Sequence, residues 1–136
     1  KIWNMKTGEC KRTLEGHSGS VLSLVINNDN ELISGSCDKT IKIWNMKTGE
    51  CKRTLEGHSG SVLSLVINND NELISGSCDK TIKIWNMKTG ECKRTLEGHS
   101  GSVLSLVINN DNELISGSCD KTIKIWNMKT GECKRT

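Results

Sequence analysis

Proline, phenylalanine and tyrosine are absent from this 136-residue chain, and four tryptophans are its only aromatic residues. No apolar run approaches the roughly 18 residues that cross a membrane, so no membrane partner is expected. The opening stretch KIWNMKTGEC holds no apolar core of the signal-peptide kind. Seven cysteines (Cys10, Cys37, Cys51, Cys78, Cys92, Cys119 and Cys133) alternate at spacings of 27 and 14, and none forms a C-x-x-C pair. That odd number without pairs gives neither a zinc site nor a full disulfide framework. Reduced thiols in a cytoplasmic protein are expected instead. No segment carries a convincing helical period, and no glycine-rich phosphate cradle of the G-x-x-x-x-G-K-[ST] kind is present.

What is present is repetition. Trp3, Trp44, Trp85 and Trp126 stand 41 residues apart, and every residue between them obeys the same period. The unit KIWNMKTGECKRTLEGHSGSVLSLVINNDNELISGSCDKTI occurs three times without a substitution, and its first 13 residues return once more at Lys124–Thr136. Such identity points to a designed array or a very recent amplification, since copies under selection specialise. Within one unit five Lys/Arg balance five Asp/Glu, so the net charge of +3 resides in the final 13 residues. A neutral repeat offers none of the clustered basic surface that nucleic acid requires, and no nucleic acid partner is expected.

Each unit reads as four short strands separated by turn residues. Val21–Asn27 is nearly all apolar, as in a strand buried on both faces. The turn residues Asn28–Asn30 lead to Glu31–Cys37, where Leu32 and Ile33 precede small residues. After Asp38-Lys39 comes Thr40–Met46, rich in β-branched and aromatic types. Lys47–Gly49 turns the chain into Glu50–Leu55, polar enough for a sheet edge. Polarity thus grades from a dry first strand to a wet fourth, which fits an all-β array of sheets standing radially with the first strand innermost.

Gly16-His17, then Ser34–Asn45 (SGSCDKTIKIWN) ending on Trp44-Asn45, resemble the landmarks of a WD40 repeat, a unit of about 40–45 residues forming one propeller blade. The resemblance covers the whole chain. It implies an all-β propeller of four-stranded antiparallel blades, with a third-and-fourth-strand hairpin at 1–13 and three full blades at 14–54, 55–95 and 96–136. Two departures bear on local turns. Asn45 stands where the family has Asp, and NNDN replaces the usual Ser-Pro-Asp-Gly turn.

The resemblance also implies a hydrogen-bonded chain Trp→Ser→His→Asp in each blade. Mapped here, the sets are His17, Ser34, Asp38 and Trp44; His58, Ser75, Asp79 and Trp85; and His99, Ser116, Asp120 and Trp126. Trp only donates, Asp only accepts, and Ser and His do both, so the order satisfies every polar end. The competing reading is a Ser-His-Asp hydrolase built on EGHSGS at Glu15–Ser20. That stretch lacks the G-x-S-x-G elbow and recurs identically three times, which argues against a catalytic site. Ser34 rather than adjacent Ser18 is the expected partner of His17. His17, His58 and His99 with Cys37, Cys78 and Cys119 lack metal-ligand spacing, so neither metal nor cofactor is expected. KTGECKR is a basic stretch on a solvated edge, flanked by Glu9 and Glu15.

WD40 propellers present protein- and peptide-binding surfaces on the rim formed by the fourth-to-first and second-to-third strand loops. That rim would carry Ser18, Ser20, Cys37 and Lys39, with copies at Ser59, Ser61, Cys78 and Lys80 and at Ser100, Ser102, Cys119 and Lys121. These residues are small and lack the aromatic and Arg anchors of strong hot spots. The expected role is a non-enzymatic binding scaffold or a self-assembling structural repeat without a ligand. Three blades fall short of a closed propeller, so the ring is expected to close through copies of the chain. Three copies with nine blades are preferred over two with six, and a longer single-chain array is the alternative. At each junction Lys1–Thr13 competes with the identical Lys124–Thr136.

Overall fold

A computed structural model describes residues 1–136 and contains fourteen β-strands and no helix. The hairpin β1 (Ile2–Trp3) and β2 (Cys10–Arg12) stands alone as a two-stranded sheet. The first blade comprises β3 (Val21–Ile26), β4 (Leu32–Ser36), β5 (Ile41–Trp44) and β6 (Cys51–Leu55). The second comprises β7 (Val62–Ile67), β8 (Leu73–Ser77), β9 (Ile82–Trp85) and β10 (Cys92–Leu96). The third comprises β11 (Val103–Ile108), β12 (Leu114–Ser118), β13 (Ile123–Trp126) and β14 (Cys133–Arg135). Each blade is an antiparallel meander in chain order. The β3–β4 pairing of Leu24 with Ser34 and the β4–β5 pairing of Ser34 with Lys42 place the small residues of the second strand in the middle of the sheet.

The first strands of neighbouring blades, β3 with β7 and β7 with β11, lie against one another, so the blades converge on their first strands. Apolar side chains fill the wedges between blades. One cluster joins Ile33, Ile41, Ile43 and Leu55 of the first blade to Val62, Leu65, Leu73 and Trp85 of the second. The second cluster repeats it one unit on: Ile74, Ile82, Ile84 and Leu96 meet Val103, Leu106, Leu114 and Trp126. Each blade thus has two dissimilar faces, one for the preceding blade and one for the next.

The same geometry corrects the expectation that the first strand is buried on both faces. Val21, Leu22, Leu24 and Ile26 are exposed in β3, and in the middle blade only Val62 and Leu65 of β7 are buried. The driest strand is the second, β8, buried at every position. It lies inside its sheet with a blade on either side, whereas the first strand turns part of its surface to the inner rim. In β3 the preceding-blade face has no blade upon it.

Both unusual turns are explained by Asn side chains. Asn27 Oδ1 accepts the backbone N–H groups of Asp29 and Glu31 at 3.0 and 2.9 Å, while its Nδ2 donates to Glu31 Oε1 at 2.8 Å. That Asx turn frees the loop from proline and leaves Asn30 in the left-handed region at φ 61°. Asn45 Oδ1 likewise accepts from Lys47 N and Thr48 N at 2.8 and 3.2 Å, so the amide oxygen does there what a carboxylate would do.

Candidate functional site

At one end of each blade, a histidine in the loop before the first strand reaches across to the second and third strands. Trp44 Nε1–H donates to Ser34 Oγ at 2.8 Å, and Ser34 Oγ lies 2.6 Å from His17 Nε2. His17 Nδ1 lies 2.8 Å from Asp38 Oδ2. With Nδ1 protonated, every donor in this chain meets an acceptor. The second blade repeats the arrangement through Trp85, Ser75, His58 and Asp79 at 2.8, 2.7 and 2.8 Å. The third does so through Trp126, Ser116, His99 and Asp120 at the same distances.

The serine hydroxyls of these sets are buried: Ser34 is 3% exposed, and Ser75 and Ser116 are fully enclosed. A hydroxyl tied to an indole N–H and an imidazole, and sealed from solvent, is not presented to a substrate. Ser18, which made the loop look catalytic, joins the network only by its backbone N–H, 3.0 Å from Asp38 Oδ2.

A fifth residue belongs to each set and was not singled out from sequence. Thr40 donates twice to Asp38 Oδ1, from its backbone N at 2.9 Å and from Oγ1 at 2.6 Å, and Thr81 and Thr122 do the same to Asp79 and Asp120. The Asp-x-Thr spacing carried that signal, because a short polar side chain readily captures the N–H two residues on. Gly19 fits the same corner: a Cβ there would lie 2.9 Å from the backbone nitrogen of Asp38.

Burial alone would raise the carboxyl pKa of Asp79, but hydrogen bonds from Thr81 and His58 outweigh it and hold the group down at about 2. Asp38 is lowered by the same contest, with burial opposed by Thr40 and His17. Burial pushes the His58 imidazolium below its ordinary range, against the pull of Asp79. Both groups give stability a slope of one sign. The neutral His58 contributes fully above its unfolded value of 6.5 and less as pH falls below it. Ionised Asp79 contributes fully above 3.8 and is lost as pH falls towards 2. The melting temperature is therefore expected to fall from neutral pH downward, most steeply below about pH 4. Scanning calorimetry across that range checks this, and a flat profile would contradict it.

Ser18, Ser20, Cys37 and Lys39 are exposed, as are Ser59, Cys78, Lys80, Ser100, Cys119 and Lys121, while Ser61 and Ser102 are half-buried. Cys37 N donates to Ser20 O at 2.8 Å, which ties the two rim loops together, and Lys39 turns the chain at φ 76°. All seven cysteines are free and exposed. No helix of the chain is long and apolar enough to cross a membrane.

Two grooves lie elsewhere, at the opposite end of the wedges, with volumes of about 780 and 830 Å³. The first has Ile43, Trp85 and Met87 among its lining, with Asp29, Arg53, Asp70 and Lys88 around them. Nearby, Lys52 pairs with Glu31 and Lys93 with Glu72.

Comparison with known proteins agrees with this geometry. The family model "WD domain, G-beta repeat" matches residues 8–45, 49–86 and 90–127. The matches begin in the turn between third and fourth strands, so each takes one strand from the preceding sheet and three from the next blade. Among curated relatives, mitochondrial division protein 1 of Neurospora crassa is 50% identical over 42 residues, 31% of this chain and 6% of that protein. Protein tipD of Dictyostelium discoideum is 40% identical over 42 residues, 31% of this chain and 7% of its own length. The periodic tryptophan protein 2 homolog of Schizosaccharomyces pombe is 45% identical over 42 residues, 30% of this chain and 5% of its own length. Each likeness is thus about one repeat long and spans a small fraction of the relative. With three matched repeats, each carrying the Trp–Ser–His–Asp chain, the protein belongs to the WD40 family.

Proposed function

We propose that the 136-residue chain is an arc of a non-enzymatic propeller scaffold that closes by head-to-tail association with further copies. The observation that carries this is the character of its two ends. Val21, Leu24 and Ile26 lie 51%, 60% and 52% exposed at one end, while their copies Val62 and Leu65 are buried against the preceding blade. At the other end Val107 and Ile123 are 51% and 65% exposed, while Ile82, the copy of Ile123, is fully buried against the next blade. The two bare faces are the two halves of an interface that the chain builds twice internally. Pairing them is a heterologous contact that closes when the rotation completes a circle. Where the same units continue in a longer array, the next unit covers the same face by the same contacts.

The fit is sharpest at one glycine. A Cβ on Gly35 would meet Val62 Cγ1 at 2.7 Å, and one on Gly76 would meet Val103 Cγ1 at 2.8 Å, but Gly117 has nothing within 4 Å. Val21 of a second copy is the side chain that belongs there. Gly117→Val is expected to leave the fold of the arc intact and to block association. Native mass spectrometry measures this: two chains of 15.0 kDa give about 30 kDa, three give about 45, and the variant remains at about 15. Association of Gly117→Val at wild-type affinity would overturn the assignment of this face.

In this reading the Trp–Ser–His–Asp sets hold loops and strands together, and the ring offers its rim to proteins or peptides. Ser18, Ser20, Cys37, Lys39 and their copies then recur around the circle, suiting a ligand that is itself repeated or symmetric. The free thiols suit a reducing, cytoplasmic setting. No catalytic or metal role enters.

A further inference from the structure

Head-to-tail association, the reading on which this inference rests, creates a steric conflict at each junction. The β1–β2 hairpin stands over the first blade as β5–β6 stands over the second. A Cβ on Gly49 would lie 3.4–3.5 Å from the side chains of Arg12 and Leu14, just as one on Gly90 would lie 3.3–3.5 Å from those of Arg53 and Leu55. Under this cover Trp44 is only 2% exposed, although Leu24 and Ile26 nearer the inner rim are bare. A second copy docking its whole third blade brings β13–β14 to that same place. Two hairpins of identical sequence then contend for one position, and one has to leave.

Their attachments are unequal. β13 is held along β12 by the pairs Leu114–Trp126, Ile115–Ile125, Ser116–Lys124 and Gly117–Ile123. Trp126 is 1% exposed, its Nε1–H bonded to Ser116 Oγ, and Lys134 of β14 pairs with Glu113. β1 has only β2 beside it. Trp3 is 55% exposed and Met5 97%, and β1–β2 is a sheet of two strands with no serine beside the Trp3 indole. Lys11, the copy of Lys134, forms no ion pair, unlike Lys52, Lys93 and Lys134. Removing β1–β2 breaks side-chain contacts on one face; removing β13–β14 breaks a strand ladder, a buried indole and an ion pair.

We infer that β1–β2 is a displaceable cap: it occupies the outer half of the face that receives a second copy, and association proceeds by its removal, not by its insertion into the partner. The cap has two consequences. Free arcs are protected at Trp44 while unassembled, and association is slowed by the step that lifts the hairpin. The incoming blade covers Leu24 and Ile26 as well, which the hairpin leaves bare, so displacement ends with more apolar surface buried.

Variants of the 136-residue chain test this through the rate at which isolated 15.0-kDa arcs convert to the larger species after concentration. Ile2 occupies on β1 the position that Ile43 occupies on β5, facing the following blade. Ile2→Asp loosens the cap without touching the receiving face and is expected to speed association several-fold. Trp3→Asp alters the side turned away from the first blade, and the wild-type rate is expected. An unchanged or slower rate for Ile2→Asp overturns the cap. A slower rate for Trp3→Asp also overturns it, because it means the hairpin is inserted into the partner. If wild type and both variants stay at the arc mass at all concentrations, the head-to-tail reading fails, and the cap with it.

Discussion

Replacing Trp85 with alanine is expected to cost about 3–5 kcal/mol of stability, the range for truncating a fully buried large aromatic side chain. The same replacement at Trp3 is expected to change stability by no more than about 0.5 kcal/mol, as for ordinary surface positions. The two residues sit in identical local sequence, so the difference isolates tertiary context. Trp85 is 1% exposed, belongs to the cluster that joins the first two blades, and donates its indole N–H to Ser75. Trp3 is more than half exposed and has no such partner. Urea unfolding of both variants of the 136-residue chain measures the contrast. Equal losses would mean that the hairpin is as firmly integrated as the blades, contrary to its isolation as a two-stranded sheet.

That contrast also shows where sequence reasoning reaches and where it stops. The repeat and the four-strand unit were readable because turn chemistry is carried by neighbours along the chain, and the Trp–Ser–His–Asp order was implied by the resemblance to the WD40 repeat. Strand ends were readable to within a residue or two: Thr40–Met46 was expected and Ile41–Trp44 is observed. Thr40 escaped notice because its service to Asp38 is an ordinary local turn contact, not part of a distinctive motif. Burial of the first strand was misjudged for a different reason. VLSLVI is buried at two positions in β7 and at none in β3, though the letters are the same. Gly35 and Gly117 make the same point, one pressed by a valine and the other facing open space. Whether a face is covered depends on what stands next to it, and the unit's own sequence holds no record of its neighbour. The grooves at the far end of the wedges were invisible for the same reason, being formed by Asp29 of one unit and Asp70 and Lys88 of the next.

Asp79→Ala is expected to cost about 2–4 kcal/mol, because one deletion strands several donors at once and a hydrogen bond to a charged group contributes about 1.5–3 kcal/mol. Its carboxylate accepts from His58 Nδ1 and the Ser59 backbone at Oδ2, and from the Thr81 backbone and hydroxyl at Oδ1. With the aspartate gone, His58 keeps Ser75 and a long 3.5 Å contact from Nδ1 to Thr81 Oγ1, and loses the carboxylate that fixes its tautomer. The loop bearing His58 and the turn bearing Thr81 are then no longer tied together. Asp79→Asn separates charge from shape. The amide oxygen still accepts, but the amide NH2 cannot replace the second oxygen, so a smaller loss is expected. In that variant the acid-induced fall in stability below about pH 4 should also diminish, since one carboxylate held down at about 2 no longer contributes. Calorimetry of wild type, Asp79→Asn and Asp79→Ala at neutral and acidic pH resolves both effects. Alanine and asparagine variants with equal stability and the wild-type pH slope would show that the carboxylate is a bystander. The ordering wild type, then asparagine, then alanine would make it the anchor of the loop that first looked catalytic.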